Sequence, residues 1–299
     1  MRLLYHKGKN FGDELNPYLF NHLLPSFFDD DSSEVFLGIG SILGLKKPAN
    51  DKQIVHVFSS GCGGQFSGTY GDVPTDLSQY RIHCVRGPKT ASLLGIQPEL
   101  AIADAAILTP LVFPKEQLKK SPTHHISFIP HIGSLSFNEN LSQTLNKAGI
   151  HCIDPRAGVE QVISEIVNSK LIITEAMHGA ILADSYRIPW IPVKCYQTIN
   201  EFKWNDYCLS MGLKYSPVIL PGIFSKPYLK LVLKQKRITV FNGLIASLLS
   251  VFFENYRKTL FIRSLKKIID KVTPQLSDPA LLKDKQEQLL AILKKLATE

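Results

Sequence analysis

LIITEAMHGAILADSYRIPWIPV, residues 171–193, is the most informative stretch of this 299-residue chain. The apolar run at 171–173 is typical of a strand that is buried on both faces. Gly179 is expected to let the backbone turn, and residues 180–187 have the apolar spacing of a helix. Pro189 then ends the helix, and the chain returns to an extended strand. This order predicts two parallel strands joined by a helix.

His178 follows the predicted strand and precedes the predicted helix. Ligands of open α/β sheets bind at the carboxyl ends of strands, and the free N–H groups of a helix N-terminus attract phosphate. A lone His is more often a buried structural residue than a ligand. The order of strand, His, Gly and helix favours a functional role for His178 here.

A second unit of the same kind opens the chain, with a strand predicted at residues 2–6 and a helix at 14–24. The loop between them, GKNFGD at residues 8–13, offers two glycines, an Asn and a Lys to an anion. Asp13 is the candidate N-cap of the helix. Clusters of Gly, Asn and Asp also mark ordinary turns, so this loop does not assign a site by itself.

Composition is ordinary for a globular protein, with 44% hydrophobic and 20% charged residues. The length can accommodate two domains. The five cysteines form no C-x-x-C pair and follow no secretory leader, so reduced thiols in the cytosol are expected. No metal is expected, because ligands are not clustered and the dipeptide His124-His125 is predicted to lie in a surface loop.

Strands and helices are predicted to alternate along the rest of the chain. Further strands are expected at residues 35–39, 54–58, 82–85, 100–102, 126–130 and 151–153, and helices at 89–94, 138–148 and 158–168. This alternation implies parallel sheets. The predicted organisation is an N-terminal Rossmann-like domain (1–114), a linker (115–125), a C-terminal Rossmann-like domain (126–222) and a basic amphipathic helical region (223–299). The fold class is therefore α/β, with two Rossmann-like domains facing a cleft.

An ordered set of motifs resembles the polysaccharide pyruvyl transferases between residues 1 and 213. The set is Asn10-Phe11-Gly12-Asp13, Asn16-Pro17, Gly38-Ile39-Gly40-Ser41, Arg86-Gly87, His178-Gly179 and Ile188-Pro189. The chain is most similar to the short bacterial subgroup linked to exopolysaccharide ketal formation. The resemblance implies a glycosyltransferase-B-like fold, phosphoenolpyruvate as co-substrate without a further cofactor, and a sugar acceptor with two neighbouring hydroxyls. Many members carry an Arg two residues before the His, where this chain has Ala176.

If the resemblance holds, His178 is the candidate acid that protonates the donor methylene. Asp13, which is equally a helix cap, and Glu175 are candidates for accepting a hydroxyl proton. The donor carries a carboxylate and a phosphate, so residues that bind it should be cationic or should lie at strand and helix ends. The candidate donor-binding residues are Lys9, Asn10, Gly12, Arg86, His131, Arg156, Gly179 and Lys194. Acceptor-binding candidates are Trp204, Asn205 and Asp206, with the Trp204 indole stacked on a sugar ring or buried in the core.

The net positive charge of the chain comes from one segment. Residues 226–271 carry eleven Lys and Arg against two acids, a charge of +9, whereas the whole chain carries +8. The uncharged run at 238–253 is shorter than the ~20 residues that span a bilayer. An apolar stripe then recurs at helical spacing between basic residues: Leu260, Phe261, Leu265, Ile268, Ile269 and Val272.

Two interpretations of this stripe remain open. It suits a helix of residues 226–272 on an anionic membrane surface, or a helix buried between domains or in a homo-oligomer. A final amphipathic helix at 280–297 is expected to pair with it. Nucleic acid is not an expected partner.

These features together predict a cytoplasmic enzyme, peripheral on the inner face of the cell membrane. It would move pyruvate from phosphoenolpyruvate to a glycan or a lipid-linked oligosaccharide precursor. One alternative is a nucleotide-sugar-dependent glycosyltransferase, because the same fold supports different reactions. The other is a non-catalytic glycan-binding module on a membrane surface, for which paired Gly-rich loops and His178 have no obvious use.

Overall fold

The computed structural model describes residues 1–45, 48–50, 52–64, 69–118, 124–138, 140–196, 199–223 and 243–298, and for 243–254 only the helical backbone. The strands are β1 Arg2–Leu4, β2 Glu34–Leu37, β3 Ile54–Phe58, β4 Tyr80–Cys84, β5 His124–Ile129, β6 His151–Cys152, β7 Ser169–Thr174, β8 Trp190–Lys194 and β9 Val218–Ile219. The helices are α1 Phe11–Leu23, α2 Pro88–Leu94, α3 Thr109–Val112, α4 Lys115–Leu118, α5 Ile132–Phe137, α6 Leu141–Asn146, α7 Val159–Val167, α8 Met177–Ser185, α9 Glu201–Ser210, α10 Gly243–Lys271 and α11 Pro279–Leu296. Two 3₁₀ turns span Pro98–Leu100 and Ala105–Leu108.

The strands form two parallel sheets. The first has the order β1-β2-β3-β4, and the second has the order β6-β5-β7-β8-β9. The α/β class with parallel sheets is therefore confirmed. The finer assignment to a glycosyltransferase-B arrangement stays a prediction.

One continuous hydrophobic core joins the two sheets. Phe36 and Phe58 of the first sheet and Ile172 and Trp190 of the second belong to it. Helices α1 and α8 and the 3₁₀ turn Ala105–Leu108 contribute the apolar side chains that lie between them. Because the same core holds both sheets, the loops at their strand ends are fixed against one another.

Two predicted helix starts were wrong. Helix α1 begins three residues earlier than expected, and its cap is Asn10 rather than Asp13, since the Asn10 side chain accepts a hydrogen bond from Gly12 N at 3.3 Å. Helix α8 includes Gly179, which was expected to lie in a turn. A Cβ at Gly179 would lie 2.8 Å from Thr174 Oγ1, so close packing on the preceding strand explains this glycine.

The predicted linker was also assigned wrongly at both ends. It begins with helix α4, and His124 and His125 start strand β5 instead of forming a surface loop. The His124 ring stacks on His151, with ring centroids 3.7 Å apart, which fixes it in the sheet. Residues 119–123 lie outside the described residues. The short strand expected at 100–102 is replaced by a 3₁₀ turn and an isolated bridge between Ala101 and Val85.

The apolar stripe of α10 is buried in the protein. Phe261, Leu265 and Ile268 pack in the core of the second sheet, with Phe261 edge-on to Phe128 of β5. Of the two interpretations, burial is therefore correct for Phe261, Leu265 and Ile268, whereas Leu260, Ile269 and Val272 are partly buried. Residues 226–242 of the basic segment lie outside the described part of the chain.

Helix α11 packs elsewhere than expected. Its leucines join the core between the sheets, and Gln286 Nε2 donates to the carbonyl of Ile107 at 2.8 Å. It therefore supports the 3₁₀ turn Ala105–Leu108 rather than forming a pair with α10. Within the described part of the chain, no helix combines the length and the apolar character needed to cross a membrane.

Candidate active site

The loops at the carboxyl ends of the two sheets meet each other. Phe11 N, at the start of α1, donates to Pro155 O in the loop after β6 at 2.9 Å. Asn200 Nδ2, which precedes α9, donates to Gly63 O in a loop after β3 at 2.7 Å. Ligands of parallel sheets bind at such carboxyl ends, so this junction is the candidate site.

His178 lies in this junction, in the first turn of α8. Its ring packs directly on the backbone of Gly12, because a Cβ at Gly12 would lie 2.0 Å from His178 Nδ1. Phe11 meets the ring edge-on at a centroid distance of 6.5 Å. The imidazole is 11% exposed, so most of its surface is shielded from solvent. The sequence placed His178 correctly between a strand and a helix, whereas Gly12, which was expected in the loop before α1, lies in the first turn of that helix. Their contact was not predicted.

Asp104 is a site residue that the sequence reasoning missed. It caps the 3₁₀ turn Ala105–Leu108 through Oδ1, which accepts from Ala106 N at 3.0 Å. Its Oδ2 lies 3.8 Å from His178 Nε2. Both atoms are buried and have no hydrogen-bond partner among the described residues. Buried polar atoms are normally paired, so an unpaired carboxylate and imidazole facing each other indicate a functional site. The sequence feature that could have indicated Asp104 is its position directly after the apolar run at 101–103.

The loops after β1 and β2 bring further polar groups to the junction. Asp13 Oδ2 accepts from Asn10 Nδ2 at 2.7 Å. Buried Asn16 donates to the carbonyls of Asp13 and Ile39, which ties the two loops together. Asp13 is partly exposed near Gly40, since a Cβ on Gly40 would lie 3.5 Å from its Oδ1. The structure thus brings Asn10, Gly12 and Asp13 to the side of His178.

Arg86 was expected to bind the donor, and Asp206 the acceptor, but they bind each other. Both side chains are fully buried, and Arg86 Nε donates to Asp206 Oδ2 at 3.0 Å. The remaining guanidinium nitrogens donate to Ser41 Oγ and Cys62 O. Asp206 also accepts from the backbone of α2 at Lys89 and Thr90. The pair therefore fastens α9 to the first sheet, and its burial keeps the guanidinium and the carboxylate away from a ligand.

Of the two other acceptor candidates, Trp204 is buried and Asn205 is bonded within its own helix. Trp204 is fully buried and stacks on Tyr215 with ring centroids 5.0 Å apart. No face of its indole is open to a sugar, so it is a core residue. Asn205 is partly exposed on α9, where its Nδ2 donates to Glu201 O at 2.7 Å.

Glu175 and His131 hold the strand ends in place. Glu175 is buried and accepts from Cys195 N at 2.8 Å and His131 N at 3.3 Å. Burial raises the pKa of its carboxyl, and its oxygens are committed to these backbone bonds. His131 caps α5 through Nδ1, which accepts from Gly133 N at 3.1 Å. Burial, with a smaller contribution from Lys203, lowers the pKa of His131 to about 4, so it carries no charge at neutral pH.

Of the remaining cation candidates, two are already paired. Lys194, at the end of β8, lies 2.5 Å from Glu201. Arg156 lies 2.7 Å from Asp154 but is about half exposed. It follows Pro155, whose carbonyl accepts from the start of α1, so it lies beside the N-terminal loop. Lys9 is exposed in that same loop.

Comparisons with known proteins agree with the motif order. Residues 76–195 match the family model described as polysaccharide pyruvyl transferase, a range that includes Asp104 and His178. The chain is also 37% identical over 216 residues to a Rhizobium meliloti (strain 1021) protein named succinoglycan biosynthesis protein ExoV. That match covers 71% of this chain and 65% of the relative, so the chain spans slightly less than two thirds of the relative's length. The resemblance predicted from the sequence is confirmed.

Proposed function

We propose that this chain transfers a pyruvyl group from phosphoenolpyruvate to a sugar diol of a glycan, because residues 76–195 match the polysaccharide pyruvyl transferase family model. The relative's name associates that protein with succinoglycan biosynthesis, which supports a polysaccharide or its precursor as the acceptor. The observation that carries the proposal is the buried pair of His178 and Asp104 at the junction of the two sheets.

His178 is the acid of the proposed reaction. Its protonated imidazole donates a proton to the methylene carbon of phosphoenolpyruvate, which leaves an oxocarbenium-like centre at the carbon that bears the phosphate. Asp104 provides a negative charge beside the imidazolium and orients its ring, as carboxylates do for catalytic histidines elsewhere. A positioned acid of this kind contributes about 10²–10⁴-fold in rate.

The remaining steps form the ketal and release phosphate. One sugar hydroxyl adds to the cationic carbon, and Asp13 accepts its proton because its carboxylate is partly exposed beside the site. The carbon–oxygen bond to phosphate then breaks, and the second hydroxyl adds to close the ring. One hydroxyl proton restores the acid and the other leaves with inorganic phosphate, so protons balance over the cycle.

The donor anion would be held by backbone amides and by the cations beside the N-terminal loop. The first turn of α8 presents unpaired N–H groups, and helix N-termini attract phosphate. Lys9 and Arg156 are the candidate cations nearest to this loop, whereas Arg86 and Lys194 are engaged elsewhere.

A donor screen with purified protein tests the proposal. Phosphoenolpyruvate and a succinoglycan-type oligosaccharide should give inorganic phosphate only when both are present. His178→Asn should lower this rate by at least 10²-fold while leaving the melting temperature within a few degrees, because the ring is a reactant rather than a core side chain. Release of a nucleoside diphosphate from a sugar nucleotide, with no phosphate from phosphoenolpyruvate, would instead establish the glycosyltransferase alternative.

A further inference from the structure

An open groove lies between α6 and α10, on the flank of the second sheet. Its volume is about 610 Å³, within the range of small-ligand pockets. Four of its lining residues are basic, namely Lys147 of α6 and Lys258, Arg263 and Lys266 of α10. The other lining residues are amides, hydroxyls and one Ile, and none that the structure describes there is acidic. The groove is therefore strongly cationic.

The packing of α10 fixes these cations toward the groove. Phe261 and Leu265 are buried against the second sheet, so the opposite face of the helix is directed outward. Arg263 and Lys266 are three residues apart and therefore neighbours on that outward face. Within the described residues, Lys147, Arg263 and Lys266 form no ion pair. Lys194 and Arg156, by contrast, are each neutralised by a carboxylate.

Like charges held in one groove repel each other unless an anion binds between them. Lysine and arginine donors together with amides and hydroxyls match the oxygens of phosphate groups, which accept several charge-assisted hydrogen bonds at once. The groove is much larger than one inorganic phosphate, and its charge exceeds that of a monoester. Both properties indicate a ligand with more than one phosphate or with a phosphate joined to a larger body.

The groove begins near the carboxyl edge of the second sheet. Arg257 Nε, near the start of the described side chains of α10, donates to Gly222 O at 3.0 Å. Gly222 packs on Tyr196, directly after β8, because a Cβ there would lie 2.8 Å from the ring. None of the lining residues belongs to the candidate active site, so the groove is separate from His178.

We propose that the groove between α6 and α10 binds a phosphate-bearing anion of the diphosphate class, either free in solution or as the head group of a lipid. Binding requires no transfer chemistry and is therefore independent of the proposed function. If the acceptor glycan is carried on a lipid phosphate, the same groove would hold that head group while the sugar reaches the junction of the sheets.

Acetylation footprinting of the full chain tests the site directly. The probes are inorganic pyrophosphate, anionic phosphatidylcholine vesicles that contain a lipid diphosphate, and neutral phosphatidylcholine vesicles. Pyrophosphate or the anionic vesicles should slow acetylation of Lys147 and Lys266 at least threefold. Acetylation of the exposed residues Lys283 and Lys294 on α11 should not change, and neutral vesicles should have no effect.

Two double variants that remove the same charge from different helices test whether affinity depends on the groove. Arg263→Gln combined with Lys266→Gln should weaken binding of the effective probe at least tenfold, because each lost charge-assisted hydrogen bond is worth about tenfold or more. Lys283→Gln combined with Lys294→Gln removes the same charge from another helix and should leave the affinity unchanged. Both pairs replace exposed side chains, and melting curves verify that they fold.

The outcomes are distinct. Protection by soluble pyrophosphate assigns a free diphosphate as ligand, and protection only by anionic vesicles assigns a lipid head group. Unchanged acetylation of Lys147 and Lys266 with both probes overturns the proposal. An equal loss of affinity in the two variant pairs also overturns it, since binding would then follow the net charge of the protein and not the groove.

Discussion

Substituting Gly12 by Ala tests whether the position of His178 is essential. The added Cβ would lie 2.0 Å from His178 Nδ1 and 2.5 Å from its Cγ. Carbon contacts are optimal at about 3.5–4.0 Å, so the ring must retreat by roughly 1.5 Å. The start of α1 has little freedom to move instead, because Phe11 N is bonded to Pro155 O and Asn10 caps the helix.

Gly12→Ala is expected to change stability little and activity strongly. Alanine in a helix is favoured over glycine by about 0.5–1 kcal/mol, and a side chain forced off its rotamer costs about 0.5–1.5 kcal/mol. These terms nearly cancel, so the free energy of unfolding should change by less than about 1 kcal/mol. A displacement of about 1 Å at a catalytic group costs roughly 10²-fold in rate. Activity should therefore fall about 10²-fold in a protein of nearly normal stability.

The assay is acceptor-dependent phosphate release, combined with thermal unfolding. Gly158→Ala is the matched control, because Gly158 also lies at a helix start and a Cβ there meets no atom within 4 Å. It should retain full activity. The double variant with His178→Asn should be no slower than His178→Asn alone, since both changes act on one ring. Activity of Gly12→Ala within threefold of the unchanged protein would refute the placement of His178 in the reaction.

Three further predictions follow from buried or paired groups. Asp206→Asn leaves the buried charge of Arg86 uncompensated and should lower the free energy of unfolding by about 3–5 kcal/mol in urea titrations. A loss below about 1 kcal/mol would contradict a buried ion pair between Arg86 and Asp206. His131 has a folded pKa of about 4, below its unfolded value near 6.5, so its contribution to stability is complete above about pH 6.5 and is lost as the pH falls toward 4. His131→Asn keeps the helix cap, and its unfolding free energy should vary less with pH across that window; an unchanged slope would exclude this titration. Lys9→Gln with Arg156→Gln should raise the KM for phosphoenolpyruvate about tenfold or more with little change in kcat, and an unchanged KM would show that other groups hold the donor.

The sequence predicted the backbone framework because its signals are local. The apolar run at 171–173 and the strand at 54–58 were placed within a few residues, since buried parallel strands are short apolar runs between turn signals. Helix starts were less accurate. Asn10 and Asp13 are both good capping residues, and the choice between them depends on the contact of Phe11 with Pro155, which lies far away in the sequence.

Roles of charged side chains could not be predicted because they depend on partners distant in sequence. Arg86 precedes a Gly-Pro turn at a strand end, which is typical of a ligand-binding residue. Its guanidinium instead pairs with Asp206, 120 residues later. The burial of Trp204 and Glu175 could not be decided from the sequence for the same reason, since it arises only when α9 and the strand ends pack together. Asp104 was missed because its partner, His178, comes from the other sheet.

The absence of an Arg at position 176 has a physical consequence for the donor site. Ala176 is the N-cap of α8 and provides no side-chain bond, so the cap itself covers none of the first N–H groups of the helix. Those groups carry the positive end of the helix dipole and can take over part of the charge that an arginine would supply. The dipole is worth less than a full charge, so a cation is still needed opposite it. Arg86 is buried with Asp206, Lys194 is paired with Glu201 and His131 is neutral, whereas Lys9 is exposed in the N-terminal loop and the half-exposed Arg156, which is paired with Asp154, lies beside it. The donor is therefore expected to lie between α8 and the start of α1, with both sheets contributing to one anion site.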